Sequence, residues 1–270
     1  MKTAGLAARY ALALAAVIVF LFPLYWLFIT ALKTPEEILT YPPVWWPSSL
    51  HLANFAHLPT SGDGLAVVNS LIVASASTVL AMVLGTMGAY VIARTGLGGK
   101  LFARWAMASR MAPPVMLAFP FFLVFAGIGR ASGVAVLVLI LTAFNLPYVL
   151  WMMRGYLREI PVALEEAALV AGLRREQLPL SVLWPMARGG LLATAAFTFV
   201  LAWNELAFAL VLAQDAAMTL PTQLAQYDSR PELWGRVAAL GVVGMLPAFI
   251  ALALIQRRLA RSLSLGFVED

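Results

Sequence analysis

Arg110, Asn145, Trp203, Asn204 and Glu205 stand inside long apolar stretches of this 270-residue chain, where polar groups are costly. A polar side chain in such a stretch faces protein or water, so these five are candidates for lining a solute path. Asn and Glu side chains beside an indole offer the hydrogen bonds and the ring face that a sugar needs. Asn in a membrane helix can equally serve as interhelical glue worth about 1 kcal/mol. Pro147, two residues beyond Asn145, frees a backbone carbonyl one turn away. Arg110, near the end of its stretch, has the length to snorkel towards headgroups.

Catalytic chemistry finds little to work with. A membrane-embedded lipid-modifying enzyme needs convergent acids, bases or metal ligands, and Glu205 is the one deep carboxylate, with no histidine in any apolar stretch. There is no cysteine, which excludes thiolate chemistry and disulfides, and His51 and His57, six residues apart, form no recognisable metal site. The glycine-rich "RTGLGGKL" places Arg94 and Leu101 where a phosphate loop needs Gly and Ser or Thr, so the chain is expected to bind no ATP or other cofactor itself. An ion-coupled secondary transporter could use Glu205 as a proton carrier, but it would more often have further spans and an inverted repeat.

A second set of residues clusters in the polar segment 154–190. Pro161 suits the first turn of a helix, Glu165 and Glu166 follow near its positive end, and Gly172 suits a left-handed residue that ends it. The spacing predicts a helix of about three turns. Ala167, Ala168 and Gly172 permit close backbone approach, and a glutamate there can accept charge-assisted hydrogen bonds from a basic partner, or merely offset the helix dipole. Without further information such a helix is an interfacial connector.

The elements that position these residues follow from composition. With 62% hydrophobic and 11% charged residues, the apolar surface must be covered by lipid. Six stretches are long enough to cross a bilayer, over 11–32, 65–93, 105–128, 134–153, 191–213 and 237–255. The first is too long for a cleaved signal and has no convincing cleavage site after Leu32. If the N-terminus is inside, thirteen Lys and Arg fall on the cytoplasmic side and four (Lys33, Arg130, Arg230 and Arg236) outside. Both termini are therefore expected in the cytoplasm. The net charge of +5 is spread singly between apolar runs, which argues against nucleic acid. Two longer external segments, 33–64 and 214–236, join spans, and residues 1–270 read as one transmembrane domain.

Glu166, Ala167, Ala168 and Gly172, followed after nine residues by Val182, Leu183, Trp184 and Pro185, resemble the Glu-Ala-Ala loop of ABC importer permeases. The preceding "IPVALEEAA" adds to the likeness, whereas Trp184 and Ala171 depart from the usual Leu and Asp. The stretches "FPLYWLFITALKTPEEI", "AWNELAFALVL" and "LPAFIALALIQRRLARSL" are similar to the smaller, six-span permease of maltose-type carbohydrate importers. The tail "RSLSLGFVED" departs from the family's glycine-rich ending. The resemblance implies an all-α bundle of the type I importer permease fold, and coupling to an ATPase through Glu165, Glu166, Ala167, Ala168, Gly172 and Leu173. It further implies a second homologous permease subunit, two ATPase subunits carrying ATP and Mg, an extracytoplasmic solute-binding protein and a carbohydrate-like solute. The setting it implies is the cytoplasmic (inner) membrane of a bacterium or archaeon.

Overall fold

A backbone in hydrocarbon has no hydrogen-bond partner but itself, and helix dominates every stretch expected to cross. The computed structural model describes residues 2–127, 133–213, 215–227 and 230–265, and among these no strand occurs. Arg130 and the tail from Gly266 lie outside the described residues. Five helices are long and apolar enough to cross a membrane among the described residues, or six if the broken pair Arg104–Met111 and Pro114–Gly127 is one span. The fold is the expected all-α bundle of membrane-crossing helices.

The described residues divide into two compact units, one running up to Leu65 and including Gln223–Leu246, the other containing Ala66–Thr222 and the described residues from Pro247 on. In the first unit, helix Lys2–Ala31 forms the first span. Asn54 ties off its last carbonyl and the turn beyond it, with Nδ2 donating to Ala31 O at 3.0 Å and Lys33 O at 3.1 Å. Lys33 is buried, stands 4.3 Å over the Trp26 ring and donates to the Val44 carbonyl. Burial pulls the Lys33 ammonium below its usual pKa, against the opposing pull of Glu37. Thr34 and Glu37 form a capping box on helix Pro35–Leu39. Asp63 accepts from Gln223 Nε2 at 2.9 Å and from the Tyr227 hydroxyl at 2.7 Å. Burial first and the Asp63 bond second push the Tyr227 phenol above its ordinary pKa.

In the second unit, the second span (Gly62–Thr95) meets the fourth (Val134–Arg158) around Gly85 and Gly88, which abut Val149 and Leu150. Ala81, Gly85 and Ala89, four residues apart, give the second span a smooth ridge. A Cβ on Gly85 would come within 2.6 Å of Val149 Cγ1, so the ridge is already in contact. Ala81, Ala89, Val149, Leu150 and Met153 share one buried cluster with Leu157 and Leu191. Helix Gly99–Met111 ends before Ala112 and Pro113, and the helix after them leaves at 89° to it. A proline supplies no N–H to continue a helix and disfavours helical geometry in the residue before it.

The fifth span departs from the expected 191–213. Helix begins earlier, as a π-helical turn over Pro179–Leu183 that runs into Trp184–Trp203, and it stops at Trp203. A short helix, Ala207–Leu212, follows after Asn204, Glu205 and Leu206. At the break the Glu205 carboxylate accepts the Phe208 N–H, in the first turn of the new helix, at 3.1 Å. Helix Trp234–Leu265 completes the set, with Pro247 inside it.

Candidate coupling helix and solute cavity

Between the fourth and fifth spans a three-residue link, Glu159 to Pro161, leads into the short helix Val162–Val170. It ends as its sequence predicts. Gly172 has φ +98°, its N–H donates to Leu169 O at 3.0 Å, and the Leu173 N–H donates to Ala168 O at 3.0 Å. These two bonds form a Schellman cap, which a residue without Cβ adopts at no steric cost.

The helix is exposed along one face. Val162 is 51% and Val170 91% exposed, and Glu166 lies between them at four-residue spacing, also exposed. Leu164, Ala167 and Gly172 are exposed as well, while Ala168 and Leu173 are half-buried. Apolar side chains beside a carboxylate on a polar connection make a surface suited to a protein partner.

Glu165 is different from its neighbour. It is buried, pairs with Arg94 of the second span at 2.5 Å and accepts from the Tyr90 hydroxyl at 3.0 Å. Arg94 Nη2 also donates to Ile160 O at 3.2 Å. Of the two glutamates that the sequence offers to a basic partner, only Glu166 is available at the surface. The helix sits too close to the second span for the one-residue offset to leave both exposed: neighbours on a helix point about 100° apart.

The five residues of the apolar stretches separate into two groups. Arg110, Asn145 and Glu205 line one cavity of about 220 Å³, together with Phe144, Leu141 and Leu201. Arg110 Nη1 donates to Asn145 Oδ1 at 3.1 Å and to Phe144 O at 3.3 Å, and its guanidinium lies 4.7 Å from the Phe144 ring centre. The arginine turns inward instead of snorkelling, because the break at Ala112 and Pro113 leaves it beside the fourth span, with a hydrogen-bond acceptor in reach. Trp203 is buried and stacks on Phe199 at 5.9 Å. Asn204 is exposed and its Nδ2 donates to Val200 O at 2.8 Å, so neither Trp203 nor Asn204 lines that cavity. The cavity thus offers a cation, an amide and a carboxylate to a small polar solute, but no free indole face.

Sequence reasoning passed over Tyr90 and Arg94 as partners, and Val162 and Val170 as surface. Arg94 entered only as a topology charge and as a mismatch to the phosphate-loop pattern. The spacing of Tyr90 and Arg94, four residues apart at the end of a span, was the available signal for a paired polar face. Among the described residues no group of three or more His, Asp or Glu side chains could hold a metal.

Comparison with known proteins agrees with this architecture. Residues 77–265 match the family described as binding-protein-dependent transport system inner membrane component. The diacetylchitobiose uptake system permease protein DasC of Streptomyces coelicolor is 30% identical over 94% of this chain and 95% of its own length. The trehalose transport system permease protein SugB of Mycobacterium tuberculosis is 32% identical over 92% of both chains. In fold, the chain is similar to a chain of a bacterial ABC transporter that imports the acidic polysaccharide alginate, with a TM-score of 0.78 at 17% identity over 95% of this chain and 96% of that one. These relatives are transporter subunits and not enzymes. The chain belongs to the binding-protein-dependent transport system inner membrane component family and is an inner-membrane permease subunit of an ABC importer.

Proposed function

We propose that this permease carries a sugar, polyol or related solute into a bacterial or archaeal cell, paired with a second homologous subunit. Two ATPase subunits holding ATP and Mg drive it, and an extracytoplasmic binding protein delivers the solute. The observation that carries this reading is the exposed face of Val162, Glu166 and Val170 on a helix closed by the Gly172 cap. That face is the proposed docking surface for an ATPase subunit, with Glu166 meeting a basic side chain and Ala167, Ala168, Gly172 and Leu173 shaping the approach. The carbohydrate assignment draws on the diacetylchitobiose and trehalose named for the two relatives. Reconstitution in vesicles tests it: uptake should require both the ATPase subunits and ATP. Uptake driven by an ion gradient without those subunits would replace it with a secondary transporter.

Both termini are proposed to be cytoplasmic, from the thirteen-to-four bias of basic residues. Reporter fusions at Gly62 and Gln223 should then read outside and one at Arg174 inside. The opposite pattern would put the docking helix on the wrong side for an ATPase.

The cavity of Arg110, Asn145 and Glu205 is the proposed solute path in this subunit, with Trp203 and Asn204 supporting the broken fifth helix behind it. Glu205→Gln keeps the size of the side chain and removes its charge, so the complex should assemble while uptake falls about tenfold, the scale of a charge-assisted hydrogen bond. Unchanged uptake of every solute tested, with unchanged assembly, would remove Glu205 from the path.

A further inference from the structure

Glu165 faces away from the surface that its helix presents, and its surroundings suggest a mechanical role. The Arg94 and Glu165 side chains are 14% and 7% exposed. Arg94 Nε and Nη2 both lie 2.5 Å from Glu165 Oε1, Tyr90 donates to Oε2, and Arg94 also holds the Ile160 carbonyl just ahead of the helix. Both carboxylate oxygens are engaged, and the arginine grips side chain and backbone together. Among the described residues the ion pair of Arg174 with Glu176, at 3.4 Å, is by contrast 76% and 72% exposed.

We propose that Arg94, with Tyr90, locks the short helix Val162–Val170 to the second span through Glu165, making the two move as one body. The inference rests on the docking reading above. The short helix is joined to the fourth span by three residues, Glu159 to Pro161, and a tether that short acts as a pivot at this end of the helix. A buried guanidinium bonded to Glu165 in the helix and to Ile160 in the link adds an anchor on the second span at that end, which removes the pivot. A push on Val162, Glu166 and Val170 is then delivered into the second span. From there the Ala81, Gly85 and Ala89 ridge passes it to Val149 and Leu150, because packed contacts of this kind shift as units and do not deform smoothly. Arg94 and Tyr90 are positioning residues in this scheme: they touch neither solute nor nucleotide. Glu165 lies in the first turn of its helix, where it would also offset the helix dipole, but that role needs no Arg94.

The test uses the complete importer in vesicles, with solute uptake and ATP hydrolysis measured together. Arg94→Lys keeps the Glu165 charge paired, so the protein should fold, but a single ammonium cannot reproduce the fork. Arg94→Gln removes the pairing altogether. Both variants are expected to retain the ATPase subunits on purification, while uptake per ATP falls by about threefold for Arg94→Lys and tenfold for Arg94→Gln. Spin labels at Thr95 and Ala163, both exposed, report the joint directly, since the chain has no cysteine of its own to compete for labelling. Their separation should be the same in nucleotide-free and ATP-trapped parent complexes, and should change between those states in Arg94→Gln. Uptake per ATP within about twofold of the parent in both variants would overturn the proposal. So would a label separation that changes as much in the parent as in Arg94→Gln. Failure of the docking reading is seen separately, as ATPase subunits that stay bound and coupled when Gly172 or Glu166 is changed.

Discussion

Replacing Gly172 with valine is expected to leave the permease in the membrane and to abolish solute uptake. No membrane span is touched, so insertion and abundance should match the parent. The φ of +98° at Gly172 is the whole difficulty: a Cβ there would meet nothing within 4 Å, so no clash arises with the surroundings. Left-handed backbone geometry costs an ordinary L-residue roughly 1–2 kcal/mol, and a β-branched side chain fares worse still. That cost is small beside the stability of the whole bundle, but it falls on a nine-residue helix whose end is defined by the Gly172 and Leu173 N–H bonds. The helix end should fray and the face carrying Val170 should lose its shape. Co-purified ATPase and solute-stimulated hydrolysis are the readouts, and both should collapse. Gly172→Asn should retain most of both, since asparagine tolerates the left-handed region. Glu166→Lys should resemble the valine variant by reversing the charge offered to the partner. If Gly172→Val and Glu166→Lys both keep the ATPase subunits and normal stimulated hydrolysis, Pro161 to Gly172 is only a connector.

Replacing Gly190 with leucine is expected to prevent accumulation of folded permease, whereas the same change at Gly189 is expected to be tolerated. The two glycines are adjacent on the fifth span. A Cβ on Gly190 would fall inside contact distance of the Tyr156 ring of the fourth span, and one on Gly189 would meet nothing within 4 Å. Forcing atoms into a packed contact costs about 1–3 kcal/mol where neighbours can shift. Here the obstruction is the base of a rigid ring, so the cost should exceed that range. At Gly189 the balance runs the other way, because replacing glycine in a helix gains up to about 1 kcal/mol of propensity. Membrane-fraction abundance and thermal stability in detergent distinguish the two. Tyr156→Ala combined with Gly190→Leu should recover part of the loss, and equal behaviour of the two glycine variants would show that the fourth and fifth spans do not meet as described.

Much of this protein is written in short-range patterns. Long apolar runs make helical spans unavoidable because hydrocarbon offers the backbone no alternative partner. Proline, two glutamates and a glycine at fixed offsets determine the short helix Val162–Val170 and its cap, since capping depends on residues within one turn. The candidate residues Gly172 and Glu166 were legible for this reason. Glu205 was legible as costly but not as the site of a helix break, because only the folded backbone shows its bond to the Phe208 N–H.

What the tertiary structure alone decided is which charge faces which neighbour. Glu165 and Glu166 are equivalent as letters in a sequence, and both could meet a partner. Burial of one against Arg94 and Tyr90 and exposure of the other come from packing against a span 71 residues earlier in the chain, which no local pattern encodes. The inward turn of Arg110 to Asn145, 35 residues away, has the same origin. Local propensity and hydropathy act over a few residues and specify elements, whereas a charge in a low-dielectric interior must find its partner wherever the fold brings one, and that pairing is a property of the assembled helices.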